Sequence, residues 1–108
     1  MAALNWPAQE AIALYFEEFD SPGALSLDTA EALLEVAGRY SSTIVITAND
    51  HSVHAPLLPL CWTDLGISAG TTVTVTADKG HHSPDTEDRR ALGEFVSRFR
   101  ELTSPGTR

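Results

Sequence analysis

Between Ala69-Gly70 and Asp78-Lys79-Gly80 the chain reads Thr-Thr-Val-Thr-Val-Thr-Ala, residues 71–77. Hydroxyl-bearing and apolar side chains alternate, and a period of two marks a strand with one face buried and one in water. Val73 and Val75 therefore point toward a core. Such a strand needs neighbours in a sheet and an apolar layer over its valines.

Thr43-Ile44-Val45-Ile46-Thr47-Ala48 is a β-branched run that supplies one neighbour. Asn49-Asp50 is a turn signal, and His51 to Ala55 is short enough to be the return strand of a hairpin before Pro56 breaks it. Ala11 to Phe19 supplies another strand, with Ile12, Leu14 and Phe16 alternating against Ala13, Tyr15 and Glu17. A helix over Ala8 to Tyr15 competes with it, because Ala-Gln-Glu-Ala is helix-friendly. Tyr, Phe and Ile favour the strand.

The covering layer is helical. From Ser21 to Leu34 a Pro22-Gly23 turn leads into a helical period, with Leu27, Ala30, Leu33, Leu34 and Ala37 at steps of three and four. Either Ser26 or Asp28 can cap this helix, and Asp28 with Glu31 has capping-box spacing. The helix ends near Gly38-Arg39. Leu57 to Leu65 reads as a short helix, with Pro59 in its first turn and Gly66 as its stop. Ser83-Pro84-Asp85 starts a third helix, whose stripe is Leu92, Phe95, Val96, Phe99 and Leu102. The order is β-α-β-β-α-β-α: an α+β fold with helices on one face of a four-stranded, mainly antiparallel sheet. Residues 1–9 read as a loose leader, 10–102 as the domain and 103–108 as a flexible tail.

Composition narrows the function. A chain of 108 residues suits one domain. Cys61 is the only cysteine, so no intrachain disulfide forms, and it reads as a small buried hydrophobe. No basic-then-apolar start or long apolar run points to a signal peptide or a membrane span, so the cytoplasm is the expected location and no membrane partner is expected. Seven Lys/Arg against fifteen Asp/Glu give a net charge of −8. Nucleic acid is not an expected partner, because phosphates need a basic face.

The histidines carry no strong signal. His51 and His54 are three apart on a short strand, hence on opposite faces, and are not placed to share a metal. His81 and His82 are adjacent in a loop without a second ligand pair. All four read as surface residues, and no cofactor is expected. No Ser/His/Asp order, glycine-rich phosphate loop or paired-cysteine motif is present.

Two stretches carry a resemblance. Tyr40-Ser41-Ser42-Thr43-Ile44-Val45-Ile46-Thr47-Ala48-Asn49 is the more specific. Leu65-Gly66-Ile67-Ser68-Ala69-Gly70-Thr71-Thr72-Val73-Thr74-Val75-Thr76-Ala77 is the second. From about Ala24 to Leu102 the chain resembles HPr, the histidine-containing phosphocarrier of the bacterial sugar phosphotransferase system. The resemblance implies an open-faced sandwich of a four-stranded sheet and three helices.

It fails where that family does its chemistry. HPr carries Gly-[Leu/Ile]-His-[Ala/Thr]-Arg-Pro-Ala at the start of its first helix. Gap-free counting back from Tyr40 gives Ala24-Leu25-Ser26-Leu27-Asp28-Thr29-Ala30. Ser26 stands at the position of the His, Asp28 at that of the Arg and Thr29 at that of the Pro. A serine lacks the nucleophilic imidazole, and Asp28 would repel a phosphate. Two like charges about 4 Å apart cost on the order of 4 kcal/mol near a protein surface. Ser26 and Asp28 therefore read as capping residues, with no catalytic residue expected. Leu57 stands where some family members carry a regulatory serine.

The family's partner surface joins the start of the first helix to the apolar start of the middle one. Here the resemblance implies Leu25, Leu27, Leu57 and Leu58, an apolar docking patch with an acidic edge. Leu57, Leu58, Leu60 and Trp62 are more apolar bulk than a short helix readily buries. The expectation is an HPr-like domain that has lost phosphoryl transfer and binds a protein partner. The alternatives are a phosphocarrier using a displaced histidine, such as His51 or His54, and an unrelated α+β ligand-binding or dimerisation domain.

Overall fold

In a computed structural model, which describes residues 15–81 and 84–104, the Thr/Val alternation becomes the centre of a sheet. Strand β4 (Thr72–Asp78) lies between β1 (Tyr15–Asp20) and β2 (Thr43–Ala48), and β3 (His51–His54) borders β2, giving the order β1-β4-β2-β3. Every pairing is antiparallel, with Glu17 opposite Val75, Ile46 opposite Val75 on the other side, and Ile46 opposite Val53.

In β2 and β4 the alternation sorts the faces as expected. Val73, Val75, Ala77, Ile44, Ile46, Ala48 and Phe19 are buried, while Thr72, Thr74, Thr76, Thr43 and Thr47 lie on the wetter side. Threonine suits that side, because a β-branched stem fits the pleat and its hydroxyl stays hydrated. Phe16, opposite Thr76, is 63% exposed there, which corrects the sequence reading that put it on the apolar face of its strand: Phe19, of the opposite parity, is the β1 side chain that enters the core.

Helices α1 (Leu27–Ala37), α2 (Leu58–Leu65) and α3 (Pro84–Thr103) cover the valine face. A 3₁₀ turn, Ala55–Leu57, joins β3 to α2, so the return strand stops at His54, one residue short of expectation. Alanines 30 and 91 and Leu33, Leu58, Leu65, Phe95 and Phe99 have no exposed surface. Full burial of each large side chain contributes about 1.5–3 kcal/mol. Phe99 meets Phe19 edge-on, centroids 5.4 Å apart, and the Arg100 guanidinium lies 4.9 Å from the other side chain's ring centre at Phe19, so α3 is locked onto β1.

The C-terminal boundary of the domain also differs from the sequence reading. Helix α3 includes Thr103, which is buried and donates its hydroxyl to the Phe99 carbonyl at 2.8 Å, so the helix outlasts the expected start of the tail. The strand over Ala11 to Phe19 is seen from Tyr15. Its first part, the Ser83 cap and His82 lie outside the described residues. Among the described residues no helix is long and apolar enough to cross a membrane.

Candidate functional site

The loop before α1 is stitched to the loop before β4. Ser21 donates its N–H to Thr71 O and Gly70 donates to Ser21 O, both at 2.8 Å, and Leu25 N–H reaches Ile67 O at 3.3 Å. The Ser21 hydroxyl donates to Gly23 O at 2.6 Å. These bonds fix where the first turn of α1 begins.

Ser26 is the N-cap, with extended backbone at φ −136°, ψ 169°. Its Oγ accepts from Thr29 N–H at 3.2 Å and donates to Thr29 Oγ1 at 3.1 Å. The cap therefore falls to Ser26 rather than Asp28, and the buried Thr29 completes a reciprocal pair with the exposed Ser26. Asp28 is exposed in the first turn, where a carboxylate gains about 0.3–1 kcal/mol from the macrodipole. Among the described residues Thr29 is the side-chain partner of Ser26, and no base reaches its hydroxyl. The arrangement caps the helix.

His51, His54 and His81 lie within the described residues. His51 is exposed, with Nδ1 3.0 Å from the Asn49 carbonyl. His54, opposite Val45, is exposed on the open side of the sheet with Ser52, whereas His51 shares the parity of buried Val53. His81 is exposed, and its backbone N–H donates to Ser41 Oγ at 2.8 Å. Among the described residues no group of three His, Cys, Asp or Glu side chains could hold a metal ion.

The expected docking leucines separate into two kinds. Leu25 and Leu58 are core residues, 5% and 0% exposed, and a correction is needed: neither offers a surface to a partner. Adjacent helical residues point about 100° apart, so Leu57 and Leu58 cannot share an outward face. Leu27 and Leu57 remain exposed at 45% and 48%, and Leu60 at 81% joins them. Cys61 is half-buried against the core, as is Trp62.

Helices α1 and α2 run antiparallel. Leu25 meets Ile67 at one end, while Leu34 and Ala37 face Ala55 and Pro56 across a cleft of about 330 Å³ at the other. Tyr40, Thr43, Ile44 and His54 also line that cleft.

A polar cluster lies beside it that sequence reasoning missed. Glu87 accepts from Ser41 N–H at 2.6 Å and from Ser41 Oγ at 2.8 Å. Asp88, 1% exposed, accepts from Ser42 Oγ at 2.5 Å and Gly80 N–H at 2.9 Å. Glu94 receives Tyr40 OH and the Arg39 guanidinium. Burial, and then the Glu94 carboxylate, push the Tyr40 phenol above its usual pKa. Carboxylates within α3 thus clamp the segment that enters β2. The available signal was Arg-Tyr-Ser-Ser before a strand, set against acids in a helical first turn.

Neither a protein-family model nor a curated protein matches the chain. Solved structures do. The crystal structure of the phosphocarrier protein HPr from Bacillus anthracis str. Ames superposes with a TM-score of 0.66 at 19% identity, over 81% of this chain and 98% of the other. The histidine-containing phosphocarrier protein of Mycoplasma gives 0.57 at 20% identity, over 81% and 97%. HPr-C-His from Thermoanaerobacter tengcongensis gives 0.56 at 23% identity, over 81% and 94%. In strand order, helix placement and extent, this chain has the fold of the HPr phosphocarrier proteins.

Proposed function

We propose that this chain is an HPr-fold domain that has lost phosphoryl transfer and works by binding a protein partner, as a non-catalytic or regulatory module. The reading is carried by Ser26. Its hydroxyl is committed to Thr29, and the first turn that would hold a phosphate carries Asp28 instead of a cation. A phosphoryl group placed there would meet a hydroxyl without a base and a carboxylate of like charge. The exposed leucines 27, 57 and 60 are the surface left for a partner. The cytoplasm is the location that goes with this role.

One observation favours a carrier with a displaced histidine. Asn49 bonds to the carbonyls of Leu65 and Gly66, and Leu25 bonds to Ile67, so the turn that leads into His51 lies at the same end of the domain as the start of α1. Incubation with phosphoenolpyruvate and a phosphotransferase-system enzyme I, read by intact mass, decides between the two. No mass gain is expected while a conventional HPr is labelled in parallel. An acid-labile gain of one phosphoryl group would overturn the proposal, and the modified peptide would show whether His51 carries it.

A further inference from the structure

The outward faces of α1 and α2 carry acids that, among the described residues, have no basic partner. Asp28, Glu31 and Glu35 follow one another at steps of three and four along α1, so they lie on one stripe. All three are exposed. Like charges at this spacing repel, and Glu35 also sits near the helix C-terminus, where the macrodipole disfavours an acid. No basic residue occupies the last turn of α1. In the whole sequence no Lys or Arg occurs from residue 1 to 38, nor from 40 to 78. Arg39 is held by Glu94, and among the described residues Asp28, Glu31, Glu35 and Asp64 take part in no ion pair.

Beside this stripe α2 presents a second one. Leu57, Leu60 and Asp64 recur at steps of three and four, and Leu60 is 81% exposed. The two helices are neighbours, and Leu34 of α1 and Pro56 line the cleft at one end of the pair. Of these two neighbouring helices, α1 thus exposes an acidic stripe and α2 an apolar one. A second copy of the chain would bring the same acids against these acids, which charge opposes.

We infer that this face seats a basic amphipathic helix of a partner protein, with its apolar stripe on Leu57 and Leu60 and its Lys or Arg side chains on Glu31 and Glu35. The cleft beside Pro56 takes an apolar side chain at one end of the helix, as buried anchors do at interfaces. The inference rests on the protein-binding reading above and adds the chemistry of the partner.

The test uses the full chain labelled with ¹⁵N and a synthetic peptide of about 18 residues, roughly five turns, with Leu and Lys set at the helical period. One control has the same composition in scrambled order, and another has Glu in place of Lys. The expected result is amide shifts concentrated in α1, α2 and the Ala55–Leu57 turn. Affinity should fall about tenfold or more with the scrambled or acidic peptide, and equally with Leu60→Ser or with Glu31→Lys and Glu35→Lys combined. Shifts spread over every acidic region, or unchanged affinity in folded variants, would overturn the inference. Should a variant not fold, the wild-type shift map alone decides. A phosphoryl mass gain would sink the non-catalytic reading while leaving that map as it stands, so the two failures are distinguishable.

Discussion

The side-chain amide of Asn49 donates to the Leu65 carbonyl at 2.7 Å and lies 3.1 Å from that of Gly66. One residue thereby ties the β2–β3 turn to the end of α2. Asn49 and Asp50 both have positive φ, 53° and 68°, as a two-residue hairpin of the I′ type requires. Asparagine enters that region at lower cost than most residues, and its amide is then aimed at carbonyls the helix leaves unpaired. Gly66, at φ 58°, stops α2 in the matching left-handed conformation.

Turn and cap can be separated by mutation. Asn49→Gly keeps the turn geometry but loses the side-chain bond, and should lower stability by about 1 kcal/mol. Asn49→Ala adds the left-handed penalty, for a total of about 2–3 kcal/mol. Urea unfolding measures both. A Gly variant as stable as wild type would show that the amide contributes nothing.

Ser26 separates capping from chemistry. Ser26→Ala should lower stability by about 1 kcal/mol, while Ser26→Asp should stay near wild type, since both Ser and Asp accept from the first-turn amides. Restoring a histidine is expected not to be enough. Ser26→His should remain unlabelled by enzyme I while Asp28 is present, and should take up phosphoryl groups only when combined with Asp28→Arg. Equal labelling of the single and double variants would remove Asp28 from the explanation.

Gly80 is hemmed in by the α3 carboxylates. A Cβ there would lie 2.6 Å from Asp88 Oδ1 and 2.9 Å from Ser42 Oγ. Gly80→Ala should cost about 1–3 kcal/mol through that crowding. Asp88→Ala should cost about as much by leaving the Ser42 hydroxyl and Gly80 N–H buried without an acceptor. Hydrogen exchange at the Gly80 amide checks the second: its protection should fall further than that of amides in β4.

Tyr40 links stability to alkaline pH. The phenol is neutral when protonated, and burial together with Glu94 favours that form in the folded chain. Its folded pKa is above the unfolded one, so its stabilisation is whole below about pH 10 and is lost as pH rises through the folded value. The stability difference between wild type and Tyr40→Phe should shrink across that alkaline window. A difference that stays constant from neutral pH through pH 11 would contradict the coupling (about 10 being the ordinary phenol value).

Much of this fold is legible in local pattern. The β2 boundaries, the Pro59 position, the Gly66 stop and the buried Val73 and Val75 all follow from period and turn chemistry. These features depend on neighbours along the chain. The burial of Leu25 and Leu58 does not, because it depends on the Leu25–Ile67 bond and on the 3₁₀ turn that sets the phase of α2. The Ser41–Glu87 and Ser42–Asp88 bonds join residues 46 apart, which no periodicity reports. At the candidate site the residue identities at Ser26 and Asp28 are plain in sequence, while the choice of Ser26 as cap needed the Thr29 geometry.

The strand order also has a consequence for how the chain is made. β1 pairs with β4 alone, and the Thr72–Asp20 hydrogen bond that marks one end of this pairing spans 52 residues. The first described strand to leave the ribosome therefore has no edge to join until β4 has followed it. The β2–β3 hairpin can close early because its loop is short, whereas the β1 docking step carries the loop-closure entropy of the intervening chain. Phe19, buried in the finished fold, therefore stays in water until β4 has been made.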